Sequence, residues 1–179
     1  DTVLAGAVAK NSDTGAAYVF IRSGTSWSQQ AKLVSSDLQA GDRFGQSVGI
    51  DADTAVVSAR NEDTGGSNAG SVYIFTRSGT TWSQQAKIQP SDIAAGDSFG
   101  AAVAISGDTV VISSLYTGTA GAAYVFTRSG TTWSQQAKLV SSDIAAGDNF
   151  GHDVAIDGDD VVVGANDEDT GGNSAGSLY

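Results

Sequence analysis

The chain reads as an all-β protein, a segment of a β-propeller built from four-stranded antiparallel blades. Three observations predict this. One stretch of sequence recurs at near-constant spacing, each copy alternates apolar and polar residues, and the joints are short glycine-containing turns. No segment carries the apolar period of an amphipathic helix.

The segment "RSGTSWSQQAKLVSSDLQAGDRFGQSVGI" recurs as "RSGTTWSQQAKIQPSDIAAGDSFGAAVAI" and as "RSGTTWSQQAKLVSSDIAAGDNFGHDVAI". Trp27, Trp82 and Trp133, and likewise Phe44, Phe99 and Phe150, are spaced by 55 and then 51 residues; Tyr18, Tyr73, Tyr124 and Tyr179 add a further 55. A repeat of about 51–55 residues exceeds the roughly 20 to 29 of a leucine-rich coil and sits beside the roughly 40 to 50 of a four-stranded blade.

Numbered from the Phe-Gly segment of the best-defined copy, strand one is predicted over 99–105, strand two over 109–113, strand three over 122–128 and strand four over 132–139. Ser106-Gly107-Asp108 and Ser129-Gly130-Thr131 reverse the chain without a crossover, so neighbouring strands are antiparallel. Such sheets cannot bury both faces alone, and Val110, Ile112, Tyr124 and Phe126 are expected to pack between blades. The same reading along the chain gives a partial blade 1–34, full blades 44–89 and 99–139, and a partial blade 150–179. With three strands at each end, the ring is expected to be incomplete in this chain, its remaining blades coming from a longer chain or from self-association. Between strands two and three, the distance from Asp1, Asp53, Asp108 and Asp159 to the next tyrosine alternates as 17, 20, 16 and 20 residues, which hints at a two-blade unit.

The 179 residues include 23 glycines and one proline, Pro90, so turns rely on glycine, aspartate and serine. A formal charge of -11 would repel a phosphate backbone, which excludes nucleic acid as an expected partner. No apolar stretch approaches the roughly 20 residues of a membrane span. Cysteine is absent, so disulfides and thiol chemistry are excluded. A start at Asp1, within an expected strand and without an initiator methionine, is what a processed or excised piece would show.

The recurring "FG" followed by "VAI", then "GDTVVIS" or "GDDVVVGA", then "AGSVYIFTR", resembles the bacterial relatives of FG-GAP repeats, the units of integrin-α-type propellers. The resemblance covers essentially the whole chain. It implies a propeller of about seven blades, an extracellular or cell-surface setting, and a role in adhesion, display or ligand binding. It also implies calcium loops between strands one and two, but here those turns are "IDADT", "ISGDT" and "IDGDD", too short to supply six to eight oxygen ligands.

Other candidates follow from residue chemistry. Asp63, Asp167 and Asp169, in the loops "NEDTGGSNAG" and "NDEDTGGNSAG", are the candidate Ca2+ ligands, against the alternative of Asx turns in solvated loops. Asp37, Asp92 and Asp143, with Asp42, Asp97 and Asp148, frame the "SDxxAGDxFG" connector and are expected to accept backbone N–H bonds. Trp27, Trp82 and Trp133, with Gln29, Gln84 and Gln135, sit on strand four, where indoles stack either on a sugar ring or in the rim between blades. His152 is the sole histidine, so no histidine cluster exists for zinc. Near-identical copies give equivalent surfaces suited to multivalent contact, whereas catalysis needs one asymmetric constellation. The sequence therefore leads to an extracellular structural or adhesive module, not an enzyme, that binds a protein or glycan ligand through its loops or faces. A multivalent lectin-like propeller and an accessory domain of a larger secreted enzyme are the alternatives.

Overall fold

The computed structural model describes residues 1–118, 120–143, 145–168 and 175–179, and these form strands without a helix. The first sheet has order β1 (Thr2–Ala7), β2 (Ala16–Ser23), β3 (Ser26–Leu33). Two four-stranded sheets follow: β4 (Phe44–Asp51), β5 (Thr54–Ala59), β6 (Ser71–Ser78), β7 (Thr81–Ile88), then β8 (Phe99–Ser106), β9 (Thr109–Ser114), β10 (Ala122–Ser129), β11 (Thr132–Leu139). The last holds β12 (Phe150–Asp157), β13 (Asp160–Ala165) and β14 (Ser177–Leu178). All pairing within sheets is antiparallel between sequence neighbours. The first three strands of the best-defined copy run one residue beyond their predicted ends, because the pairs Ser106↔Thr109 and Ser129↔Thr132 carry the ladder up to two-residue turns and Ser114 still pairs with Phe99 and Ala122. Gly24, Gly79 and Gly130 open the second kind of turn at φ of 60 to 64°, the left-handed conformation that glycine adopts at no steric cost. No helix is long and apolar enough to cross a membrane.

The sheets stack face to face. Strands β4, β8 and β12 are close neighbours at one edge of the stack, whereas β3, β7 and β11 barely meet at the other. Each gap is thus a wedge, narrow at strand one and wide at strand four, and the four sheets are blades of a ring that does not close within the chain.

The narrow end explains the Phe-Gly pair. A Cβ on Gly100 would lie 2.7 Å from the Ser58 Cβ of the preceding blade, and its φ of +91° is itself unfavourable for other residues. Gly45 and Gly151 repeat both features, at +89° each. The phenylalanine beside each glycine is held by its own amide: Phe44 N–H donates to Thr14 O at 3.0 Å, while Phe99 and Phe150 donate to Ala69 O and Ala120 O at 2.8 Å. The ring then enters the interface edge-on, Phe99 lying 5.7 Å from Tyr124 and 6.1 Å from Phe126. Val110, Ile112, Tyr124 and Phe126 are buried against Val56, Val72 and Ile74 of the blade before. Burying side chains of this size contributes about 1.5–3 kcal/mol each.

Candidate functional site

At the wide end of the wedge the gap is filled by long side chains, and a β-bulge in strand four aims them. In β7, Ala86 pairs with Ile74 but Gln84 pairs with Phe75, so Gln85 has no partner across the ladder. Gln30 and Gln136 occupy the same bulged place in β3 and β11. The extra residue reverses the alternation of faces. Trp82 and Lys87, five residues apart, therefore face the preceding blade together, while Gln85 is turned toward the following one.

Two indoles use this arrangement. Trp82 Nε1–H donates to Gln30 Oε1 and Trp133 Nε1–H to Gln85 Oε1, both at 2.9 Å, so each blade grips the bulge of the one before. The guanidinium groups of Arg77 and Arg128 lie over these indoles, 5.3 and 5.2 Å from the ring centroids. Arg77 also pairs with Asp53 at 2.7 Å and donates to Thr2 Oγ1 at 3.3 Å; Arg128 pairs with Asp108 and donates to Thr54 Oγ1 at 3.0 Å. Arg22 stacks on Trp27 at 5.9 Å and pairs with Asp1, but Trp27 is 46% exposed where Trp133 is 9%.

A second group closes the opposite rim. Lys87 Nζ lies 2.8 Å from Asp37 Oδ2 on the preceding connector, 3.0 Å from Glu62 Oε1, and 5.4 Å from the Tyr73 ring centroid. Tyr73 donates its hydroxyl to Asp37 Oδ1 at 3.2 Å, and buried Glu62 accepts from Ser71 Oγ at 2.6 Å and from Thr64. Burial opposes ionisation of Asp37, yet hydrogen bonds from Lys87 and Ser35 outweigh it and hold the carboxyl below its usual range. Glu62 is likewise held low against the cost of burial by Ser71, Thr64 and Lys87. Lys87 is raised despite its own burial, because both carboxylates favour its charged form. Burial, with the nearby acids Asp37 and Glu62, drives the Tyr73 hydroxyl far upward, so it stays a donor. At the next interface Lys138 pairs with Asp92 at 2.6 Å over Tyr124, but Thr117 stands where Glu62 does.

The predicted site residues divide along these lines. Asp42, Asp97 and Asp148 each accept a backbone N–H within the connector, from Gln39 at 2.7 Å, Ala94 at 2.9 Å and Ala145 at 2.6 Å. Asp37 and Asp92 depart from the expected backbone capping and take the lysine of the following blade instead, a pairing invisible until the bulge is known. Gln29 and Gln84 point to solvent, and Gln135 accepts from Ser91 N–H at 3.0 Å. Asp63 Oδ1 accepts from Asn68 N–H at 2.8 Å and Asp167 Oδ2 from Asn149 Nδ2 at 2.5 Å; Asp169 lies outside the described residues. Among the described residues no group of three or more His, Asp or Glu side chains is placed to hold a metal ion. His152 is exposed on β12.

Wedge-shaped stacking of four-stranded antiparallel sheets, locked by one set of contacts repeated from blade to blade, defines a β-propeller-type repeat module. The FG-GAP repeat model matches residues 27–75, 82–126 and 133–179, and the chain belongs to that family. Comparison with curated proteins returned no match.

Proposed function

We propose that the chain is an extracellular structural and adhesive interaction module that presents one loop rim to a protein ligand and carries no catalysis of its own. The observation that carries this reading is where the chemistry of the repeat is used. Its tryptophans, arginines and strand-four lysines are largely engaged in blade-to-blade contacts, leaving the loops between strands two and three as the parts free to differ. Those loops lie on the same rim as the connectors: Gly96 N–H donates to Ser67 O at 2.8 Å and Ser98 N–H to Asn68 O at 3.1 Å. The loop at 60–70 is longer than that at 115–121 and exposes Asp63 and Thr64, so adjacent blades offer different surfaces. An acidic rim favours a basic protein partner. Binding of the immobilised chain to a panel of extracellular proteins tests the reading, with a variant whose residues 61–69 are replaced by the shorter loop of the next blade. Binding that depends on this loop is expected; substrate turnover requiring residues of these repeats would overturn the proposal. The carbohydrate reading rests on Trp27, whose indole is half exposed. A glycan-array signal unchanged in Trp27→Ala would remove it.

A further inference from the structure

We propose that the corner between the second and third blades, where Lys138 lies over Tyr124, binds a carboxylate that comes from outside the chain. The interface between the first and second blades is the template. There the ammonium of Lys87 has one acceptor for each of its three N–H bonds, Asp37 Oδ2 and Thr64 Oγ1 at 2.8 Å and Glu62 Oε1 at 3.0 Å. The Tyr73 hydroxyl donates to Asp37 Oδ1 at 3.2 Å. Lys138 lies over Tyr124 in the same way, but among the described residues its ammonium has one acceptor, Asp92 Oδ2 at 2.6 Å. Tyr124 is fully buried and its hydroxyl makes no hydrogen bond: Asp92, Thr117 and Lys138 stand beside it, none in bonding geometry.

One paired exchange in sequence separates the two corners. Glu62 becomes Thr117, and Ser71, whose hydroxyl holds the Glu62 carboxylate at 2.6 Å, becomes Ala122. The acceptor and the side chain that orients it change together, while lysine, tyrosine and connector aspartate are kept. Thr117 turns its hydroxyl to Ser114 Oγ at 2.7 Å. The corner therefore offers two ammonium N–H bonds and one phenolic O–H, and a buried donor without an acceptor is unfavourable. A carboxylate fits these donors because Glu62 supplies one at the equivalent place, and its arrival gives this interface the lysine between two carboxylates that its neighbour has. Lys138 stands at the mouth, its side chain 34% exposed against 22% for Lys87, and Tyr124 at the floor. The ligand is a small carboxylate as such, so the inference does not rest on the protein-binding reading.

Acetate is the probe. Titrated against chloride at constant ionic strength, it should move the NMR signals of the Tyr124 ring and the Lys138 side chain saturably. Those of Tyr73 and Lys87, whose corner contains Glu62, should stay in place. Thr117→Glu combined with Ala122→Ser carries the Glu62–Ser71 pair into the third blade and should abolish the response, because the carboxylate then comes from within the chain. Lys138→Met should abolish it with the loop unchanged, and circular dichroism checks the fold of each variant. No saturable shift at Tyr124, an equal shift at Tyr73, or a response that persists in either folded variant overturns the proposal. The protein-binding reading stands or falls separately, because acetate reports on the corner without a protein partner.

Discussion

Trp27 and Trp133 hold equivalent places in nearly identical sequence, yet their truncation should not cost the same. Trp133 is 9% exposed and Trp27 46%, so over a third of a side chain of about 250 Å², about 90 Å², is withdrawn from water only at Trp133. At about 25 cal/mol per Å² this is near 2 kcal/mol. The Trp133–Gln85 hydrogen bond adds about 1 kcal/mol, whereas the stacked arginine is present at both sites and largely cancels. Trp133→Ala should therefore destabilise the chain by about 3 kcal/mol more than Trp27→Ala. Urea unfolding followed by circular dichroism measures both. Equal costs would refute the reasoning, because they would mean that strand-four indoles act through their own blade and not through the bulge of the preceding one.

Four further outcomes follow from the same interfaces. Gln85→Ala should cost about 1–2 kcal/mol by leaving the Trp133 N–H without its acceptor, while Gln84→Ala one residue away should be near neutral; thermal unfolding of the pair compares them. Gly100→Ala should be markedly worse than Gly79→Ala, since both have positive φ but only Gly100 faces a neighbour at 2.7 Å. In acid, the depressed pKa values of Asp37 and Glu62 mean that their stabilisation is complete above the unfolded values of about 4 and lost as pH falls through the lower folded ones; Asp42, raised by burial, opposes this weakly. Lys87→Met should therefore flatten stability against pH below about 4, and an unchanged slope would contradict the pairing. Adding Ca2+ or a chelator should leave the melting temperature of the chain unmoved, because Asp63 already closes its own loop.

Much of the architecture was legible because repetition locates strands better than any single copy does. The phase of Trp, Phe and Tyr placed the blades, and the glycine turns gave antiparallel order. What the sequence concealed was the bulge. Read as an unbroken strand, "TWSQQAKI" puts Trp82, Gln84, Ala86 and Ile88 on one face and separates Trp82 from Lys87. The inserted Gln85 reverses that assignment after the second glutamine. The shift is small in register and decisive in chemistry, since it hides the Trp82–Gln30, Trp133–Gln85 and Lys87–Asp37 contacts between blades. A signal was nonetheless present: two adjacent polar residues repeated in every copy break strict alternation, and a repeated break in period is what a bulge produces.

The wedge accounts for the distribution of residue types and, through it, for where variation is tolerated. At strand one the blades nearly touch, so at Gly45, Gly100 and Gly151 a single Cβ is already too much. At strand four they diverge, and only side chains as long as Trp, Gln, Lys and Arg can bridge the space. A repeat that must satisfy both ends has little freedom in its strands. The bases of its loops repeat in backbone more than in side chain: Glu62 in one blade and Thr117 in the next receive the same glycine N–H through their carbonyls, at 2.9 and 3.2 Å, but only the buried Glu62 carboxylate holds the strand-four lysine of its blade. Backbone bonding thus fixes the base of each loop, and blades differ in the exposed side chains above it, such as Asp63 and Thr64.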